Sequence, residues 1–152
     1  MMEKEFERII MPVDGSESSK RSARKAIYLA KKMNAELIAL YVVHVPISAY
    51  VGPPYSPVIY TDDTEIKEIR KKMNKEGALL LDEIEGMASK IGLKINKKVI
   101  EGSPDEEIIK ISKKDDLIIM GAKGISAIDR IFLGSVSEKV LHNATSSVMI
   151  VR

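Results

Sequence analysis

The chain predicts an α/β domain built on an open, five-stranded parallel sheet with helices on both faces. The first observation is alternation: short apolar runs and helical periodicities follow one another as β-α-β-loop-α-β-α-β-α-β over 152 residues, the pattern of successive β-α-β units. The second is that Leu37-Ile-Ala-Leu-Tyr-Val-Val43 and Leu117-Ile-Ile-Met120 are almost wholly apolar, as strands covered on both faces are. The third is that the latter run opens into a glycine-rich segment, and ligands of α/β sheets sit at such strand exits.

Each element has its own signal. Glu7-Arg-Ile-Ile-Met-Pro-Val13 reads as the first strand, stopped by Asp14-Gly15. Ser16 offers an N-cap to a helix over residues 17–33, where Ala23, Ala26, Ile27, Ala30 and Met33 recur at helical spacing and lysines and arginines occupy the opposite face. Residues 36–43 form the second strand. Residues 46–61, with four prolines and three tyrosines, show no period and read as a long connection. A long helix follows, with Ile66, Ile69, Met73, Leu80, Ile84, Met87 and Ile91 on its stripe, Asp62-x-x-Glu65 at its start and Gly92 at its end. Gly77 falls inside it and weakens the pattern locally.

Leu93–Ile100 alternates weakly and has a polar flank, as expected at a sheet edge. Ser103-Pro104-Asp105-Glu106 combines an N-cap, a proline at the first helical position and a reciprocal glutamate. Residues 116–120 are the fourth strand, Ser135–His142 the last helix and Ser147–Val151 the fifth strand. With no repeat, low-complexity tract or linker, residues 1–152 are expected to be one domain.

Composition narrows the function. Twenty-four Lys/Arg against 22 Asp/Glu leave a formal charge of +2, without the basic excess of a dedicated nucleic-acid binder. There is no cysteine, hence no disulfide or thiol chemistry. No apolar run is long enough to span a bilayer, and the charged start lacks a signal-peptide core. A cytoplasmic location without membrane contact is the expectation.

The segment Gly121-Ala-Lys-Gly124-(x9)-Gly134-Ser135 carries the chemistry. Glycines let backbone approach a ligand. Successive N–H groups in such a loop form an anion nest, and the following helix presents its N-terminus to the same anion. This is a phosphate cradle. The competing structural reading takes the glycines as tight turns and close packing, Asp14-Gly15-Ser16 as a turn or cap and Ser135-x-x-Glu138 as a capping box. His44 and His142 have no companions at ligand spacing, so no metal site is expected.

These residues resemble the universal stress protein family. Gly121, Gly124, Gly134 and Ser135 match its Gly-x2-Gly-x9-Gly-Ser/Thr motif, and Ile9-Ile-Met-Pro-Val-Asp14-Gly-Ser and Gly102-Ser-Pro-Asp-Glu-Glu-Ile-Ile match the family's first strand exit and third strand exit. The resemblance implies a Rossmann-like sheet of order 3-2-1-4-5, related to the adenine nucleotide alpha hydrolases, and ATP as ligand. Any Mg2+ would be held mainly by the phosphates. By position, Pro12, Val13 and Asp14 would line adenine and ribose, and Val42 would meet the adenine edge through its backbone. Met120 and Gly121 would lie beside ribose and phosphates. Gly124, Gly134, Ser135, Val136 and Ser137 would bind phosphate, with Lys123 as a cation in the loop. Ala122 replaces a common hydroxyl residue, and Thr145-Ser-Ser147 lacks the proline usual before the fifth strand.

The leading expectation is therefore a regulatory, stress-response ATP-binding protein that works by ligand-linked change of conformation or assembly. One alternative is a slow ATPase or nucleotidyl-transfer enzyme. The chain lacks Gly-x4-Gly-Lys-Ser/Thr and has no carboxylate pair beside Asp14, so no catalytic residue is assigned. Another alternative is an interaction module that binds no nucleotide. In the implied order the fifth strand is an edge, and Val148, Met149, Ile150 and Val151 form an apolar pairing surface for a homodimer.

Overall fold

The computed structural model describes residues 3–45, 63–123 and 133–152. The proline- and tyrosine-rich segment 46–61, the Asp62 cap and Gly124 lie outside the described residues.

In chain order the elements are β1 (Arg8–Pro12), α1 (Glu17–Met33), β2 (Glu36–Val43), α2 (Asp63–Ser89), β3 (Ile95–Glu101), α3 (Pro104–Ile111), β4 (Leu117–Gly121), α4 (Ser135–Asn143) and β5 (Ser147–Val151). The strands form one sheet of order β3-β2-β1-β4-β5, and every pairing is parallel. The predicted sheet and its order are therefore present.

Strand alternation sends successive side chains to opposite faces. Ile9, Met11, Leu37, Ala39, Leu117 and Ile119 face a core shared with α1 and α2. Ile10, Ile38, Leu40, Ile118 and Met120 face a second core with Ile108 of α3 and Val140 of α4. β1, β2 and β4 are thus covered on both sides, as their apolar runs predict. β3 is an edge and is largely exposed. Lys97 on it reaches Asp82 at 2.7 Å and Glu85 at 2.9 Å on α2.

Local signals set the ends of α1. Ser16 accepts a hydrogen bond from Ser19 N, and Asn34 closes the helix in the left-handed region at φ 52°. Gly92 ends the turn after α2 at φ +68°. The expected capping box at α3 is not formed. Ser103 makes no side-chain cap bond; its hydroxyl donates to Asp105 Oδ1 at 2.8 Å instead. The hydroxyl is turned to the carboxylate two residues on, and its oxygen accepts no helix N–H.

The stripe of α2 also differs from the expected one. Ile69 and Ile91 are exposed, whereas Ile66, Leu81, Ile84 and Ala88 are buried. Gly77 is buried on that inner side. A Cβ at Gly77 would stand 2.7 Å from Cε1 and 2.8 Å from Cγ of Tyr41 on β2. The glycine that weakens the helix pattern is the recess for this ring. Gly77→Ala would gain about 1 kcal/mol of helix propensity and lose about 1–3 kcal/mol to overpacking. The expected result is a lower urea midpoint, partly recovered in Gly77→Ala/Tyr41→Leu. A midpoint for Gly77→Ala at or above wild type would contradict this packing.

One ion pair ties the sheet at the N-terminal ends of its strands. Asp116 Oδ1 accepts from Arg8 Nε at 2.9 Å, and Asp116 Oδ2 accepts from Arg8 Nη2 at 2.5 Å. The same carboxylate accepts Lys113 N at 2.6 Å, and Arg8 Nη2 also donates to Ile111 O at 3.2 Å. The hydrogen bond to Asp116 raises the Arg8 pKa above its ordinary value, against the opposing effect of burial. β1 is joined here to the turn between α3 and β4.

Candidate functional site at the switch between β1 and β4

The chain winds from β1 toward β2 and β3 on one side, and from β4 to β5 on the other. Adjacent strands that leave in opposite directions open a crevice at their carboxyl ends. β1 and β4 are that pair, and Asp14 and Gly121 stand at their exits.

The β1 exit is a tight turn. Val13 N donates to Leu40 O at 2.9 Å, carrying the backbone one residue past the strand. Asp14 Oδ1 accepts Ser16 N at 2.9 Å, an Asx turn that leads into the α1 cap. Gly15 takes φ +85°, which favours glycine. Both readings of Asp14 are thus compatible: one carboxylate oxygen builds the turn, and the half-buried side chain has a second. Pro12 and Val13 are buried, and Val13 belongs to the α1/α2 core. Val42, Met120 and Val136 gather on the opposite face of the sheet. Tyr41 lies close enough to Asp14 to feel its charge. Burial first, then Glu76 and Asp14, raise the Tyr41 pKa above its ordinary value, so the phenol stays neutral.

The β4 exit is held from two sides. Ala122 N donates to Val151 O at 2.8 Å, while Ala122 O accepts Gly134 N at 2.7 Å and Ser137 Oγ at 2.8 Å. Lys123 O accepts Ser18 Oγ at 2.5 Å and Ser16 Oγ at 3.2 Å, and Lys123 N donates to Ser18 Oγ at 3.3 Å. The first turns of α1 and α4 therefore meet at the root of the glycine segment. This direct bonding brings together residues more than 100 positions apart.

Gly121 is a glycine because α1 packs on it. A Cβ there would lie 2.5 Å from Ser18 Oγ, 2.7 Å from Ser18 C and 2.8 Å from Ser19 N. The sequence allows either ligand approach or close packing for this glycine, and these contacts display close packing of helix on strand. Ser16 and Ser18 were absent from the predicted site. Their only sequence signal is a Ser-x-Ser spacing at a helix start, which does not reveal a distant carbonyl.

α4 begins at Ser135 with Gly134 as N-cap and no side-chain cap bond. The competing reading of Ser135-x-x-Glu138 as a capping box does not hold, because Ser135 is already the first helical residue. A glycine cap leaves the first-turn N–H groups without a side-chain acceptor, the arrangement that suits an anion. Ser137 is buried, and its hydroxyl is directed to the carbonyls of Ala122 and Gly134. Lys123 Nζ is buried and has no hydrogen-bond partner among the described residues. A buried ammonium without an acceptor is costly, and an anion beside it removes that cost. Among the described residues, no group of three or more His, Cys, Asp or Glu side chains could hold a metal ion, and no helix is long and apolar enough to cross a membrane.

A doubly wound α/β domain with a crevice at its switch point is the class defined by this arrangement. The model of the universal stress protein family matches residues 5–152, and the chain belongs to that family. Universal stress protein MJ0531 of Methanocaldococcus jannaschii is 38% identical over 149 residues, covering 97% of this chain and 82% of the relative. Universal stress protein UspA from Lactobacillus plantarum superposes with a TM-score of 0.81 at 22% identity, over 97% of this chain and 98% of that one, a likeness of fold. A universal stress protein solved in complex with cAMP gives a TM-score of 0.63 at 25% identity, over 97% of both chains.

Proposed function

We propose that this protein is a regulatory adenine-nucleotide-binding protein, with ATP as ligand, whose occupancy shifts its conformation or assembly. The observation that carries the reading is the buried ammonium of Lys123, which has no partner among the described residues, on a segment pinned to the glycine-capped start of α4. A relative of the same fold holds cAMP, which supports adenine recognition in this architecture.

On this reading the phosphates meet the N–H groups of Gly134, Ser135, Val136 and Ser137 and the charge of Lys123. Gly124 completes the motif. Asp14 accepts from ribose hydroxyls with the oxygen that the turn leaves over. The Val42 backbone meets the adenine edge, with Pro12, Val13, Met120 and Gly121 along the crevice. The donor set is cationic and N–H-rich, so a Mg2+ ion would be held through the phosphates.

Binding to the native state alone stabilises it by mass action. At free ATP of about 100 times Kd the gain is about 2.7 kcal/mol, which for a chain of this length is a rise of roughly 5–10 °C in Tm. Thermal unfolding with and without Mg-ATP measures it, and Asp14→Ala should weaken ATP more than a ligand lacking ribose hydroxyls. No shift at millimolar ATP would falsify the reading. Timed conversion of excess ATP separates binding from slow hydrolysis.

Assembly is the second part of the proposal. Among the described residues β5 pairs with β4 alone, and Met149 at its middle is 39% exposed. Two-fold pairing of β5, through Val148, Met149, Ile150 and Val151, would satisfy the open edge in both copies. Light scattering is expected to give a dimer mass for wild type and a lower mass for Met149→Pro, which removes a ladder donor. A monomer at high micromolar concentration, with the two proteins alike, rules out this interface.

A further inference from the structure

The hydroxyls of Ser16 and Ser18 are both turned away from solvent toward one carbonyl. Ser16 Oγ accepts Ser19 N at 3.2 Å and lies 3.2 Å from Lys123 O, so its proton goes to the carbonyl. Ser18 Oγ, on the next residue but one, donates to Lys123 O and accepts the Lys123 amide. Every hydrogen-bonding capacity of the Lys123 backbone is thereby used by the first turn of α1. Ser18 is 7% exposed. Immediately beneath, Gly121 has no Cβ to hold the helix away.

We propose that Ser18, assisted by Ser16, is a positioning residue for nucleotide binding: it fixes the Lys123 backbone against α1 so that the ammonium of the same residue is preset for phosphate. This inference rests on the nucleotide reading above. The physical basis is preorganisation. A lysine side chain has many rotamers, and its charge contributes to affinity only after those are restricted. Holding its backbone through two serines meets part of that ordering cost during folding. α1 becomes the element that feels the site, because nucleotide that engages Lys123 also tightens the helix start to which Lys123 is bonded.

Ser22 supplies the control. It lies one turn further along α1, is fully buried, and its hydroxyl bonds Ser19 O at 2.8 Å within its own helix. A Ser22→Ala change removes a buried hydroxyl from the same helix without touching Lys123. Calorimetric titration of wild type, Ser18→Ala and Ser22→Ala with Mg-ATP, together with amide exchange at Lys123, forms the test. The expected result for Ser18→Ala is an approximately tenfold weaker Kd, the order set by losing the carbonyl clamp, with faster exchange of the Lys123 amide. Ser22→Ala is expected to keep wild-type affinity and exchange at Lys123. Ser18→Ala binding like wild type overturns the positioning role while leaving nucleotide binding intact. Equal weakening in Ser18→Ala and Ser22→Ala assigns the effect to general loosening of α1 and also overturns it. Wild type that takes up no nucleotide is the separate failure of the binding reading, and the positioning role falls with it.

Discussion

Asp116→Ala is expected to lower stability by about 3 kcal/mol. The carboxylate is 3% exposed and receives both the Arg8 guanidinium and Lys113 N. Its removal leaves a cation and a backbone donor without their acceptor inside the fold. The arginine side chain is 20% exposed and can reach water, which holds the loss at the lower end of the range for breaking a buried pair. Asp116→Asn should fall between the two, since it retains an acceptor for the Lys113 amide but loses the charge. Urea unfolding measures the difference. Nucleotide affinity of the folded variant should be unchanged, because Arg8 and Asp116 sit at the N-terminal ends of β1 and β4 and the crevice lies at their carboxyl ends. An Asp116→Ala midpoint within about 0.5 kcal/mol of wild type, the ordinary range of a surface substitution, would show that the pair contributes nothing.

Gly121→Ala is expected to cost about 2–3 kcal/mol and to weaken nucleotide binding as well. Two of the three nearest atoms to the added methyl are α1 backbone, at 2.7 and 2.8 Å. Backbone cannot yield by changing rotamer, so the helix start must move away from the β4 exit. That movement pulls Ser18 off Lys123, and loss of stability and loss of affinity arise together. The variant therefore differs from Asp116→Ala, where only stability changes. Chemical unfolding and Mg-ATP titration of the same sample check both halves. Wild-type stability in Gly121→Ala would mean that α1 and β4 are not in contact as described.

Much of this was legible in order along the chain. The alternation of elements, the Ser16 cap, the left-handed Gly92 and the edge character of β3 depend on residues within a turn or two of one another, and the structure contains each. The glycine motif and the Asp14 turn stand at the exits of the adjacent strands β4 and β1. Gly124 and the segment 46–61 lie outside the described residues. Local reading failed where two local partners compete or where packing chooses a face. Ser103 turns its hydroxyl to Asp105 and makes no cap bond, α2 turns Gly77 inward and Ile69 outward, and Ile91 falls in the turn beyond the helix.

Family and parallel α/β class were readable along the chain, because periodicity, caps and glycine spacing act over a few residues; the anion site at the glycine segment is the proposal built on them. The packing of α1 on Gly121, the seat of Tyr41 against Gly77, the pairing of Arg8 with Asp116 and the hold of Ser16 and Ser18 on Lys123 appear only in the folded chain. Those contacts join residues between 36 and 108 positions apart. Hydroxyl, guanidinium and missing-Cβ interactions carry no periodic trace along a chain, and they exist only after β1 and β4 have been laid side by side.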